Sequence, residues 1–221
     1  DPSTYGVSWE LIDGKLRVIA VEWDDMQLAG DLALSGLECL SSLSVSDNAL
    51  TSLDLSGCYQ LVSAYCDQNQ ISRVNLSGCV SLTEFFADGN LLTNIELGDC
   101  VSLTSLFVSE NTLEALRVSG LPALTLIQCD GNLLTELTVE NCPALTTLYC
   151  QNNNLPFLNL SGLTNLKTVN AQDNLLLAVN LAGCLQLSSL KLSQNRLTAL
   201  PDLSDFSSLD PDATDFAGNG F

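Results

Sequence analysis

The stretch LTTLYCQNNNLPFLNLSG (Leu145–Gly162) holds two short alternating runs, one on each side of Asn153. Alternation places successive side chains on opposite faces of a strand. The stretch also recurs. Asn48, Asn69, Asn90, Asn111, Asn132, Asn153, Asn174 and Asn195 follow one another at intervals of 21 residues. Apolar residues return at fixed offsets from each of them. They stand two residues after it (Leu50 to Leu197), five after it (Leu53 to Leu200) and seven after it (Leu55 to Leu181). A leucine stands 13 after it from Leu61 to Leu187. A period of this length means a stack of coils, because one coil cannot bury its own apolar face.

The frame reads L-x-x-L-x-[CAVL]-x-x-N-x-L-x-x-L-x-L-S-G-C. It resembles the leucine-rich repeat family from about Leu16 onward. The 21-residue length and the cysteines Cys66, Cys129 and Cys150 at the third apolar strand position resemble the internalin J-like bacterial surface proteins. Val45, Ala87, Val108, Ala171 and Leu192 break that cysteine ladder. The resemblance implies a leucine-rich-repeat solenoid with a parallel β-sheet on the concave face. The second run of each repeat, as in LTSLDLSG (Leu50–Gly57), predicts extended or short irregular segments on the convex face, closed by a Ser-Gly turn. The asparagine sits where the chain leaves the strand, and its amide can satisfy backbone groups there.

The ends depart from the frame. VSWELIDGKLRVIAVEW (Val7–Trp23) is two alternating runs around Asp13-Gly14, which predicts an N-terminal β-hairpin cap with Trp9 and Trp23 covering the first coil. The organisation expected is a cap over 1–36, tandem repeats over 37–200 and a C-terminal cap over 201–221. In the last segment Phe216, Asn219 and Phe221 fit the frame again, after an acidic loop. Asp1 is not a natural start, so the chain reads as a mature or trimmed form.

Composition narrows the function. The net charge is −19, from 26 acidic and 7 basic residues. That argues against nucleic acid and anionic membranes, which need basic patches. No apolar run is long enough for a membrane span. There is no histidine, so Ser-His and Cys-His nucleophile pairs are excluded, and a filled solenoid offers no deep pocket for carboxylate catalysis. No enzyme and no cofactor are expected.

In the recurring strand, the residues five and three before each Asn point inward, and those six, four and two before it face the concave side. Phe85 is therefore core and Phe86 is surface. The column through Phe86 reads Ser44, Tyr65, Phe86, Phe107, Gln128, Tyr149, Asn170, Lys191. Aromatics make up 6% of the chain, so eight positions would hold about half of one by chance; this column holds four. On one side runs Ser46, Asp67, Asp88, Ser109, Asp130, Gln151, Gln172, Ser193. On the other side lie hydroxyls, with Glu84 and Leu126 as departures. Exposed contiguous apolar patches mark interaction sites, and solenoids bind on their concave faces. Tyr65, Phe86, Phe107, Gln128, Tyr149, Asp67, Asp88 and Asp130 are the candidate binding residues, for a protein or a glycan. The competing reading is cross-strand stacking that reinforces the ladder with no ligand.

Other signals are weaker. Cys58, Cys79, Cys100, Cys142 and Cys184 share a core column with Leu121 and Leu163, which reads as buried thiols packed as small hydrophobes. No metal is expected. Asp67, Asp88 and Asp130 would suit Ca²⁺, but no ligand-rich loop accompanies them. Asn-Leu-Ser at Asn75 and Asn159 matches a glycosylation acceptor but also falls out of the repeat's own turn. The resemblance implies adhesion or host interaction, an extracellular or bacterial cell-surface location is expected, and so is a monomer. A structural spacer or self-associating repeat is the alternative.

Overall fold

The structure is a computed structural model that describes residues 5–221. The chain divides into two compact units, Asp1–Thr112 and Leu113–Phe221. Each is a stack of leucine-rich-repeat coils, with strands on both sides of the coil and almost no helix.

In the first unit, Val7–Ile12 and Lys15–Glu22 form the expected antiparallel hairpin. Its two-residue turn puts Asp13 and Gly14 at φ 50° and 72°, the left-handed pair that hairpins favour. The second hairpin strand also joins the concave sheet, pairing in parallel with Ser42–Ser44. Ser63–Tyr65, Glu84–Phe86 and Ser105–Phe107 follow in register, one per coil. On the convex side Ala29–Ala33, Ala49–Asp54 and Arg73–Asn75 make a second parallel sheet. The cap differs from expectation in one respect. Trp23 is half-buried and its indole Nε1 donates to the Tyr5 carbonyl at 2.7 Å. Trp9, on the outer strand, stays 44% exposed. The paired hairpin backbone is therefore the cover, rather than the Trp9 ring.

The second unit repeats the plan. Leu126–Gln128, Thr147–Tyr149, Thr168–Asn170 and Ser189–Lys191 pair in parallel. Thr214–Asp215 closes the series on Leu190 and Lys191, as the frame match at Phe216 and Asn219 predicts. Ala115–Ser119 pairs with Glu136–Glu140, and Phe157–Asn159 with Ala178–Asn180, on the convex side.

The asparagine column ties coil to coil. Asn90 Oδ1 accepts the Ile71 amide of the preceding coil at 2.9 Å. Its Nδ2 donates to Cys66 O at 3.0 Å and Ala87 O at 3.1 Å. The same Oδ1 bond joins Asn153 to Leu134, Asn195 to Leu176 and the C-terminal Asn219 to Leu197. Each Oδ1 settles a buried backbone N–H that would otherwise be orphaned, and the carbonyls are shared between successive asparagines, as Asn69 and Asn111 also bond those of Cys66 and Ala87. The residue before the asparagine is left-handed in every coil, from Asp47 at φ 56° to Gly218 at φ 72°.

The core columns are closed. Phe85 is 0% exposed, and the leucines around it match it. Cys58 and Cys184 do more than fill space: their thiols donate to Leu34 O at 3.3 Å and Leu160 O at 3.0 Å. Burial raises the pKa of the thiols in the two core columns, to about 12 at Cys150. The Asn-Leu-Ser turns are structural as well. Asn75 and Asn159 accept the amides of Ser77 and Ser161, and Asn180, which has no Ser or Thr two residues on, makes the same bond to Ala182.

One coil of the first unit is irregular. Over 91–99 no convex strand forms. Its sequence ends in Gly98-Asp99 where neighbouring coils have Ser-Gly. Gly57 and Gly78 are left-handed at the corresponding place, and Gly57 N donates to the next coil's Ser77 O. Gly78 N instead donates to the Asp99 carboxylate at 2.8 Å. A side chain replaces the carbonyl and the convex ladder stops there.

Candidate functional site

The strand alternation separates the two phenylalanines as expected: Phe85 is fully buried and Phe86 half-buried on the concave face. In the first unit, exact register between Ser63–Tyr65, Glu84–Phe86 and Ser105–Phe107 brings three rings together. Tyr65 and Phe86 stack with centroids 4.7 Å apart at 19°. Phe86 and Phe107 stack at 4.3 Å and 8°. Strand spacing of about 4.8 Å sets this stacking distance. Both faces of Phe86 are therefore covered by its neighbours, and the row presents ring edges outward.

The flanks are polar and internally bonded. The Tyr65 hydroxyl donates to Glu84 Oε2 at 3.2 Å. Partial burial, and then the Glu84 charge, raise the Tyr65 pKa. On the other flank the carboxylates do not stand alone. Asp67 Oδ1 accepts the Ser46 hydroxyl at 2.6 Å, and Asp88 Oδ1 accepts the Ser109 amide at 2.6 Å. Ser46 and Ser109 are themselves buried. The column is thus a chain of carboxylate-to-hydroxyl and carboxylate-to-backbone bonds along the rungs. The simple picture of a solvated row of charges is too coarse.

The structure adds Glu22 and Asp24. The hairpin strand puts Glu22 opposite Ser44, in line with the aromatic column. Asp24 takes the Ser44 hydroxyl at 2.7 Å and the Ser46 amide at 2.7 Å, in line with Asp67 and Asp88. The sequence signal was present in VEWDD, but this strand lies 22 residues before its partner rather than 21, and no asparagine marks it.

The second unit carries Gln128, Tyr149 and Asp130. Tyr149 lies in register between Gln128 and Asn170, so it has no ring beside it on its own strands. Gln151 Oε1, one rung beyond Asp130, is a buried acceptor with no hydrogen-bond partner. At the far end Gln172 Nε2 donates to Ser193 Oγ and, at 3.2 Å, to Asp215 Oδ2. Among the described residues no group of His, Cys, Asp and Glu side chains is placed to hold a metal ion. No helix there is long and apolar enough to cross a membrane.

A scan against protein-family models finds no match, and a search of curated proteins finds none either. Solved structures do match. The functional domain of InlJ from Listeria monocytogenes, which includes a cysteine ladder, is 26% identical with a TM-score of 0.59 over 83% of this chain and 49% of that one. YopM from Yersinia enterocolitica WA-314 is 25% identical with a TM-score of 0.74 over 90% of this chain and 47% of that one. An internalin, InlF, from Listeria monocytogenes shares the fold at 20% identity and a TM-score of 0.64, over 90% of this chain and 67% of that one. The chain spans about half the length of the first two. The fold is a leucine-rich-repeat solenoid, and its structural likeness supports a protein-interaction module.

Proposed function

We propose that this leucine-rich-repeat solenoid is a non-catalytic binding module, secreted or displayed on a bacterial surface, that recognises a protein or glycan through its concave columns and serves adhesion or host interaction. The observation that carries the reading is the stacked row Tyr65–Phe86–Phe107 in the first unit. Its rings are only half-buried, and aromatic clusters of this kind anchor interfaces. Asp67 and Asp88 border the row and set polarity. Gln128, Tyr149 and Asp130 are the corresponding binding residues of the second unit. The resemblance of the repeats to internalin J-like surface proteins, with the likeness to the InlJ domain, supports the surface location. The acidic composition supports a partner that is not nucleic acid. The module works as a monomer without cofactor.

The close stacking also favours a second reading. Rings 4.3 Å apart stabilise one another with no ligand, which suits a structural spacer. A binding panel of host-surface proteins, mucin glycans and bacterial wall fragments separates the two, run on the wild type beside Phe86→Ser/Phe107→Ser. A ligand lost by a variant that still shows native circular dichroism supports the module. A variant that only melts lower, with the panel unchanged, supports the spacer.

A further inference from the structure

We infer that the concave face of the first unit takes an extended, cationic peptide segment of a partner protein rather than a glycan. This rests on the reading of that face as a binding surface. Three features of the face carry it.

The first is the orientation of the rings. A sugar packs its C–H groups on the electron-rich face of an aromatic ring, and the electron-poor edge offers no such surface. Both faces of Phe86 are occupied, by Tyr65 at 4.7 Å and by Phe107 at 4.3 Å. What is left outward is a ridge of ring edges. A ridge suits aliphatic contact along its length.

The second is charge. Glu22, Asp24, Asp67, Glu84 and Asp88 lie in the three outward columns of the first unit, and no lysine or arginine does. The three cations of that unit are elsewhere. Lys15 and Arg17 are in the hairpin beyond the columns, and Arg73 is in the convex strand Arg73–Asn75. A cation is repelled from the positive ring edges and drawn to the carboxylates on the flanks.

The third is spacing. The flanking columns lie two residues from the ridge along each strand, about 7 Å to either side. A lysine or arginine stem spans that reach with its methylenes on the apolar ridge and its charge beyond it. An extended chain sends alternate side chains to opposite sides. Lying along the ridge, it directs one cation toward Asp67 and Asp88 and the next toward Glu84. Asp67 has acceptor capacity left, since a carboxylate has about four acceptor sites and the Ser46 hydroxyl uses one of them.

The test uses the full chain and three probes: an eight-residue peptide of arginine pairs alternating with leucine pairs, which sends cations to both sides of an extended chain, its glutamate-leucine counterpart, and a neutral hexasaccharide. Two charge variants remove the same number of carboxylates. Asp67→Asn/Glu84→Gln keeps the shapes of the face, and Glu38→Gln/Glu96→Gln changes exposed positions away from it. Phe86→Ser reports on the ridge. The cationic peptide is expected to bind, more weakly as salt rises. Asp67→Asn/Glu84→Gln weakens it about tenfold and the distant pair by less than about twofold. Equal losses in the two pairs would mean diffuse attraction to an acidic protein and would overturn the inference. Binding of the glutamate peptide or the hexasaccharide that needs Phe86, with the cationic peptide excluded, would also overturn it while leaving the binding-face reading intact. If no probe depends on Phe86, both fall.

Discussion

The two units share a scaffold and differ in what they display on it. Asn90 and Asn153 make the same bonds to the preceding coil, at 2.9 and 3.0 Å. Phe85 and Leu148 fill the same core place, and both are 0% exposed. Outward, the same column reads Tyr65, Phe86, Phe107 in one unit and Gln128, Tyr149, Asn170 in the other. The three rings of the first unit stack. Tyr149 sits between two amides. In a repeat protein the inward positions answer to the neighbouring coil and are held to one solution. The outward ones are released from packing, so their differences carry whatever is specific to the molecule.

The largest effect should come from breaking the scaffold where it is shared. Phe85→Ala removes a fully buried ring and is expected to cost ~3–5 kcal/mol, read by urea unfolding. Leu148→Ala in the second unit is expected to cost ~2–5 kcal/mol. Phe86→Ala, one residue from Phe85, should cost ~1 kcal/mol, the scale of cross-strand pairs. If Phe85 and Phe86 cost the same, the inward and outward assignment is wrong.

Next in size is the asparagine ladder. Asn90→Ala orphans the buried Ile71 amide, while the carbonyls of Cys66 and Ala87 keep a bond from Asn69 and from Asn111. At ~1–3 kcal/mol for one orphaned group, the expected cost is ~2 kcal/mol. Asn153→Ala should match it, since Asn153 makes the same bond to the Leu134 amide. A large difference would show that the asparagine ladders of the two units are not equivalent.

Much of this was legible in the sequence, and the reasons are local. A period of 21 fixed the core columns because each coil packs only on its neighbours. The split of Phe85 from Phe86 followed from strand alternation alone. Asp13-Gly14 specified its turn by its own dihedral preferences. What was not legible depends on side-chain geometry across rungs. That Phe86 shows an edge and not a face follows from the distance and tilt between rings. That Asp67 and Asp88 engage Ser46 and the Ser109 amide depends on rotamers. Asp24 escaped because the hairpin strand meets its neighbour off the period. The lost convex strand over 91–99 goes with the Asp99 carboxylate taking the Gly78 amide, which the dipeptide alone does not announce, since Glu140-Asn141 also replaces Ser-Gly and keeps its strand.

The thiols sharpen the comparison through pH. Cys150 shares its column with Cys66 of the first unit, where Ala87 and Val108 fill the next two coils. Its folded pKa is raised by burial from 9.0 to about 12. A thiol held protonated in the fold contributes its full stability below pH 9. That contribution is lost as pH climbs from 9 toward 12, because the unfolded chain ionises first. At pH 10 the loss is about 1 kcal/mol for one such group. Cys150→Val should therefore flatten the fall in stability between pH 8 and 10 by about that amount. An unchanged pH profile would mean that Cys150 is not closed off from water.

The smallest effect is the most telling for the outward column. Phe86 touches a ring on each side and Tyr149 touches none on its own strands. Phe86→Ser forfeits two stacked pairs, each worth ~0.2–1 kcal/mol. Tyr149→Ser loses only the partial burial of its ring, a few tenths of a kcal/mol beyond which surface changes rarely go. Both proteins should keep native circular dichroism, and melting in parallel would rank them. If Phe86→Ser is costlier by roughly the value of two pairs and no more, ladder reinforcement accounts for all its stability effect. Any binding lost with it is then a separate property of the ridge. If the two substitutions cost the same, the stacked rings contribute nothing to the fold, and three aligned aromatics on an open face are left with recognition as their physical rationale.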